Sequence, residues 1–251
     1  MTPGSQGFAA LKESRGYRRF PYLTIYPCSR ATAGKRVGRY ATRECHTGTL
    51  MMSSVTNPAR IAVLGLGYIG CVTSACLAKL GHIVTGVDLD QFKVDSVNQS
   101  SAPFYEPGLE PIIKESVQAG RLRATTDLGQ ALAASDIALL CVGTPSDEYG
   151  NQSLEQLERV CAAIAGVCQD RAEPLVVAIR STVFPGTCEE MHRKHFSRFP
   201  NVSVVSNPEF LREGAAVKDF VEPYLMVVGG EPEPAAKVAA MYDTLGVVAC
   251  L

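Results

Sequence analysis

Apolar positions along this chain fall into short runs set between helical stretches, and the alternation begins abruptly at Arg60. Arg60–Leu64 has the length and residue types of a buried strand. A glycine-rich turn follows over 65–70, then an apolar helix over 71–80 that Gly81 ends. Ile83–Val87 reads as a second strand, closed by Asp88. Helices are expected over Gln91–Asn98 and 108–118, with Pro103 and Pro107 marking the loop between them. A short strand at 123–125 leads to Asp127, the N-cap of an alanine-rich helix that runs to Ala134. Further strands are predicted over 137–142, Leu175–Ile179, 202–205 and 225–228. Helices over 154–168, 186–195 and 234–245 complete the pattern. Strands separated by helices of ten or more residues need crossover connections. The fold class is therefore α/β, a doubly wound, mostly parallel sheet of the Rossmann type.

The stretch before Arg60 shares none of this. It has no sustained period of 3.6 or 2, and Gly, Pro, Ser and Thr interrupt it throughout. The net charge of −1 hides an asymmetry, because residues 1–59 hold nine basic side chains against Glu13 and Glu44. An Arg-rich, acid-poor leader fits an organelle transit peptide or a basic arm that touches anions. It also fits a stretch upstream of the functional start, with Met51 or Met52 as the first residue. The last is preferred, because nothing in the stretch resembles a core. Residues 1–58 are thus read as a disordered or non-native leader, and 59–251 as a dinucleotide-binding domain.

Composition narrows the class. Hydrophobic residues at 46% and charged residues at 20% are ordinary for a globular chain. A balanced charge gives no pull toward nucleic acid or membrane, and no apolar run is long enough to cross a bilayer. Nine cysteines, none in a C-x-x-C pair, fit free thiols in a reducing compartment, hence the cytoplasm.

The strongest local signal is Gly65-Leu66-Gly67-Tyr68-Ile69-Gly70, lying between a predicted strand and a predicted helix. Gly65 would supply the tight turn, Gly67 the room for a pyrophosphate, and Gly70 the close helix–strand contact. The first-turn N–H groups and the helix dipole would hold the phosphates. Asp88 ends the next strand about twenty residues on, the place of a carboxylate that accepts from the adenosine ribose hydroxyls. An acid there repels a 2′-phosphate, which favours NAD over NADP. Asp88 is otherwise an ordinary strand-end turn residue, and Lys93, a second adenosine-side candidate, is otherwise a solvated helix lysine.

Two later strands end in hydroxyl clusters, around Thr144 and around Ser181 and Thr182. Both would face the crevice beyond the carboxyl ends of the strands, unless they only serve turns and caps. Glu209 and Glu213 lie four apart. On a helix they would share a face, where paired carboxylates can serve as base and acid, or they would be solvated acids at a helix start.

Taken together these motifs resemble the UDP-glucose/GDP-mannose dehydrogenase family, the nucleotide-sugar 6-dehydrogenases. The likeness spans about 59–230 in unbroken order: GLGYIG at 65–70, GVD at 86–88, YEPGLE at 105–110 and GRLRATTD at 120–127. CVGTPS at 141–146, RSTVFPGT at 180–187 and SNPEFLREG at 206–214 follow. The resemblance implies NAD as cofactor, with Tyr68, Ile69, Asp88, Lys93, Thr144 and Thr182 as contacts. It implies a nucleotide-sugar substrate, GDP-mannose slightly ahead of UDP-glucose. It gives Glu213 an acid–base role through a water and Glu209 an orienting one, with the backbone of Phe210 and Leu211 approaching the sugar nucleotide. No metal is expected.

The reaction so implied oxidises the sugar C6 alcohol to a carboxylate in two hydride transfers. The aldehyde stage needs a thiolate, which forms a thiohemiacetal and then a thioester. Here the sequence departs from the family. The Gly-Gly-x-Cys-x-Pro-Lys-Asp segment that carries the nucleophile is absent, and Cys250 stands in an unrelated setting. The central helix, with its Lys, its Asn and most homodimer contacts, is missing too, as is the second nucleotide-binding domain. The expectation is a truncated chain that binds NAD and turns over little or not at all. The alternatives are an inert NAD-binding module, or a partner of a full-length homologue. A 3-hydroxyacyl or 6-phosphogluconate type of oxidoreductase is disfavoured by the NPEFLRE and YEPGLE runs.

Overall fold

The computed structural model describes residues 57–146 and 148–245. The leader assigned to 1–58 lies outside them except for its last two residues, and so does Cys250. Six strands form one sheet: β1 (Arg60–Leu64), β2 (Ile83–Val87), β3 (Leu122–Thr125), β4 (Ile137–Leu140), β5 (Leu175–Ile179) and β6 (Val202–Ser206). Their order is β3-β2-β1-β4-β5-β6, and every neighbouring pair is parallel. The order reverses between β1 and β4. A crevice opens beyond the carboxyl ends of the strands at such a point, where open α/β sheets take their ligands.

Helices cover both faces. On one side α1 (Tyr68–Leu80), α3 (Leu109–Gln118), α7 (Ala216–Val221) and α8 (Pro232–Ala239) pack with Ile61, Val63 and Leu139. On the other, α4 (Leu128–Ala133), α5 (Glu155–Val167) and α6 (Thr187–Met191) pack with Ala62, Leu140 and Val177. β1, β4 and β5 are apolar along their whole length apart from Arg60, because both of their faces are covered. α1 is buried at ten positions, and Gly81 at φ +108° turns its C-terminus back onto Leu77 and Ala78. Asp90 caps α2 (Gln91–Asn98), and Asp127 caps α4.

Several boundaries differ from the sequence reading. α1 starts at Tyr68, inside the glycine motif, rather than at Cys71. The strand expected over 225–228 does not form: isolated bridge positions stand at Val227 and, just beyond the stretch, at Gly229, which pairs antiparallel with Ser206. The buried side chain of Asn207 donates to the Val227 carbonyl at 2.9 Å, so a side chain satisfies the group that a ladder would have used. The helix expected over 234–245 begins at Pro232, which suits a first turn, and tightens into a 3-10 stretch from Ala240.

His82 joins this last stretch to the core. It is buried, and its Nδ1 accepts the Ala59 N–H at 3.1 Å. The proton therefore sits on Nε2, which donates to the Met241 carbonyl at 2.9 Å. Burial holds the imidazole below its ordinary value of 6.5, although the Met241 carbonyl works the other way. The folded state thus binds fewer protons than the unfolded one, and stability is lost as pH falls below about 6.5. Thermal melts between pH 7.5 and 5 should show that loss, and His82→Gln should flatten it. An unchanged slope in the variant would assign the acid sensitivity elsewhere.

Candidate functional site

The glycine turn joins β1 to α1, and each glycine meets a separate constraint. Gly65 has φ +95°, and a Cβ there would sit 2.8 Å from the Cys141 carbonyl oxygen. A Cβ on Gly70 would stand 1.7 Å from the Gly65 oxygen, so the helix start lies directly against the turn. A Cβ on Gly67 meets nothing within 4 Å. Gly67 is the N-cap of α1 and offers no side chain to its first-turn N–H groups. Open space therefore lies over an uncapped, thirteen-residue helix at its positive end, the arrangement that a pyrophosphate needs.

Asp88, at the end of β2, turns its carboxylate toward this turn. Oδ2 accepts the Leu66 N–H at 2.6 Å and the Lys93 ammonium at 3.2 Å, and Oδ1 accepts the Asp90 N–H at 2.9 Å. These bonds use three of the roughly four lone-pair sites of a carboxylate. One remains for a ribose hydroxyl, and another opens if the Lys93 side chain swings out. Ile69 is half-buried in the first turn of α1.

The two strand-end loops meet through side chain–backbone bonds. Thr144 Oγ1 donates to the Thr182 carbonyl at 3.0 Å, and the Gln152 side chain donates to both, at 3.2 and 2.6 Å. Ser181 Oγ is tied to the Val142 carbonyl at 2.6 Å. Gln152, which the sequence reading did not single out, thus ties the two loops to each other.

The segment 207–214 is not helical, so Glu209 and Glu213 do not form a pair on one helix face. Pro208 lacks an N–H, and the Glu209 carboxylate bends back to accept the Leu211 N–H, which diverts that donor from a helix. Glu213 and Phe210 are exposed and Leu211 is half-buried. A cavity of about 390 Å³ lies beside the segment, lined by Arg180, Glu209, Phe210, Leu211, Phe220 and Met226 among others.

Two residues that the sequence reading quoted only inside motifs have structural parts here. Glu106, from YEPGLE, is 5% exposed. It accepts from the Tyr68 hydroxyl and from the backbone N–H groups of Gly214 (2.9 Å), Ala216 (2.8 Å) and Val217 (3.4 Å). Burial raises the pKa of its carboxyl, but these donors together outweigh burial and hold it below the usual range. Burial, followed by the Glu106 bond, pushes the Tyr68 hydroxyl up to about 12, so it stays protonated and donates. Arg180, from RSTVFPGT, is buried without a carboxylate partner among the described residues. Its guanidinium instead meets Thr73, Asn207 and Tyr242.

Nothing here has the chemistry of a ready thiol nucleophile. The described cysteines are all free, and burial raises every one of them, Cys188 to about 11 and Cys71, Cys76, Cys141 and Cys161 to about 12. Among the described residues no group of three or more His, Cys, Asp or Glu converges on a metal position, and no helix is long and apolar enough to cross a membrane.

Comparison with known proteins gives the chain's relatives. The model of the UDP-glucose/GDP-mannose dehydrogenase family, NAD binding domain, matches residues 59–245. GDP-mannose 6-dehydrogenase of Pseudomonas putida is 40% identical over an alignment of 195 residues that covers 74% of this chain and 44% of that protein. UDP-glucose 6-dehydrogenase of Rhizobium meliloti is 40% identical over 172 residues, 68% of this chain and 39% of that protein. A crystal structure of a ternary complex of GDP-mannose dehydrogenase from Pseudomonas aeruginosa superposes with a TM-score of 0.70 at 37% identity, covering 76% of this chain and 45% of that one. The chain spans less than half the length of the curated relatives it matches.

Proposed function

Because this chain belongs to the UDP-glucose/GDP-mannose dehydrogenase family, we propose that it holds NAD over the first turn of α1 in the service of nucleotide-sugar oxidation. The observation that carries the reading is the contrast within the glycine turn. Gly70 admits no side chain, while Gly67 leaves open space over uncapped N–H groups beside Asp88. The backbone of Gly67, Tyr68, Ile69 and Gly70 takes the pyrophosphate, and Asp88 takes the adenosine ribose and disfavours a 2′-phosphate. Lys93 holds the Asp88 carboxylate in place. Thr144 and Thr182 line the nicotinamide side of the crevice. Bound there, NAD supplies the hydride acceptor.

On the substrate side, Glu213 is the proton-handling group and acts through a water, as its exposure permits. Glu209 orients the segment through its bond to Leu211, and the backbone of Phe210 and Leu211 meets a nucleotide sugar. The raised thiols leave the thioester half of the chemistry without a nucleophile among residues 57–146 and 148–245. That favours a chain that binds NAD by itself without completing the oxidation, as a binding module or as a partner of a full-length homologue. Free thiols at every described cysteine fit a cytoplasmic setting.

The Pseudomonas putida and Rhizobium meliloti relatives are equally identical to this chain, so a test of substrate uses both GDP-mannose and UDP-glucose. Calorimetry on the whole chain should record NAD binding, and adding either sugar nucleotide should produce no NADH absorbance. Steady NADH formation would contradict the inert reading. Absence of NAD binding would contradict the site.

A further inference from the structure

We propose that Glu106 is a positioning residue that clamps the segment bearing Glu213 to the first turn of α1, and that through Tyr68 it links this segment to dinucleotide occupancy. The inference rests on the NAD reading above, since the link needs a ligand on that turn.

Tyr68 belongs to two structures at once. Its backbone is the first residue of α1, inside the glycine motif, and its hydroxyl reaches Glu106 and accepts the Gly214 N–H at 2.9 Å. Its ring packs on Phe104, 5.1 Å between centroids, which holds the hydroxyl's direction. Glu106 continues the chain of contacts. One carboxylate oxygen takes the Tyr68 hydroxyl and shares the Gly214 N–H, and the other takes the N–H groups of Ala216 and Val217. Glu213 directly precedes this bonded Gly214, so its placement is set from the C-terminal side. Gly214 has φ +79°, a strained conformation for any other residue, so the clamp acts on a defined turn. The loop that carries Glu106 is itself braced, since Pro107 follows it and Leu109 N–H bonds to the Glu106 carbonyl at 3.2 Å. A ligand that orders the first turn of α1 thereby orders Tyr68 and, through Glu106, the residue next to Glu213.

Residue-resolved amide exchange on the full chain, with and without saturating NAD, tests this together with Glu106→Gln. A glutamine amide turns a donor toward backbone donors. Its one remaining oxygen serves only one side of the clamp, so exchange at Gly214, or at Ala216 and Val217, should speed at least about tenfold in the variant. In the wild type NAD should slow these same amides, and in Glu106→Gln the NAD-dependent difference should vanish while NAD still binds. Linkage then limits the loss of NAD affinity to the factor by which NAD had slowed exchange. A purely structural role would speed exchange yet leave the NAD-dependent difference in place, which would overturn the proposal. Exchange within twofold of wild type would overturn it also. If Glu106→Gln does not fold, Tyr68→Phe removes only the hydroxyl and must itself abolish the difference. A wild type that fails to bind NAD fails the functional reading first, an outcome that affinity alone records.

Discussion

Gly70→Ala is expected to abolish NAD binding and to destabilise the fold by about 3 kcal/mol or more, as the steric cost of overpacking a rigid backbone contact. The added methyl would stand 1.7 Å from the Gly65 oxygen and 3.1 Å from the Cys141 Cβ, and neither neighbour is the tip of a flexible side chain. Either the turn or the start of α1 has to move. For a domain of this size such a loss lowers Tm by about 6–12 °C. The informative comparison is Gly67→Ala. Its Cβ meets nothing within 4 Å and its φ of −66° suits alanine, so Tm should hold within about 2 °C. If that open space receives the pyrophosphate, NAD affinity in Gly67→Ala still falls, by about tenfold or more. Melts and calorimetry on the pair separate a glycine kept for packing from one kept for a ligand. Normal NAD affinity in Gly67→Ala would mean that the space has another use.

Arg180→Ala should have a comparable effect on stability with no contact to the dinucleotide turn. The side chain is 2% exposed and bridges elements far apart in sequence. Nε donates to Thr73 on α1 at 3.3 Å, and Nη1 donates to Asn207 after β6 and to the Tyr242 hydroxyl, each at 3.2 Å. The guanidinium also lies 5.8 Å from the Phe220 ring centre, within cation–π range. Truncation removes these bonds and leaves a hole next to the cavity beside 207–214. A cost of about 3–5 kcal/mol in a urea titration is expected. Arg180→Met keeps most of the volume and removes a buried cation that no carboxylate among the described residues neutralises, so it should cost clearly less than the alanine variant. Equal costs would show that charge and hydrogen bonds, rather than filled volume, carry the contribution.

How much of this was legible in the sequence depends on the range over which each feature is specified. The central strands stood out because parallel strands buried on both faces read as unbroken apolar runs, and Leu175–Ile179 falls where such a run does. The glycine turn and Asp88 were legible because their geometry is local, within one strand, one turn and one helix start. The 225–228 strand failed because apolar character alone cannot reveal that the Asn207 side chain claims a carbonyl of that stretch. The Glu209–Glu213 pairing failed for a similar reason, a side chain competing for its own backbone. Glu106 carries no periodic signal at all. Its partners lie 38 residues before it and more than 100 after it, so only the folded chain brings them together. Its one visible mark was an acid between Tyr105 and Pro107 in a loop otherwise built for turning.

The claim on which the rest depends is that Asp88 and the glycine turn together grip an adenosine whose ribose carries no 2′-phosphate. Parallel calorimetric titrations of NAD and NADP into the wild-type chain measure it directly. A 2′-phosphate set against the Asp88 carboxylate meets like-charge repulsion, so NAD should bind at least about tenfold more tightly. Equal affinity for the two, or tighter binding of NADP, would contradict the assignment of Asp88 and with it the site.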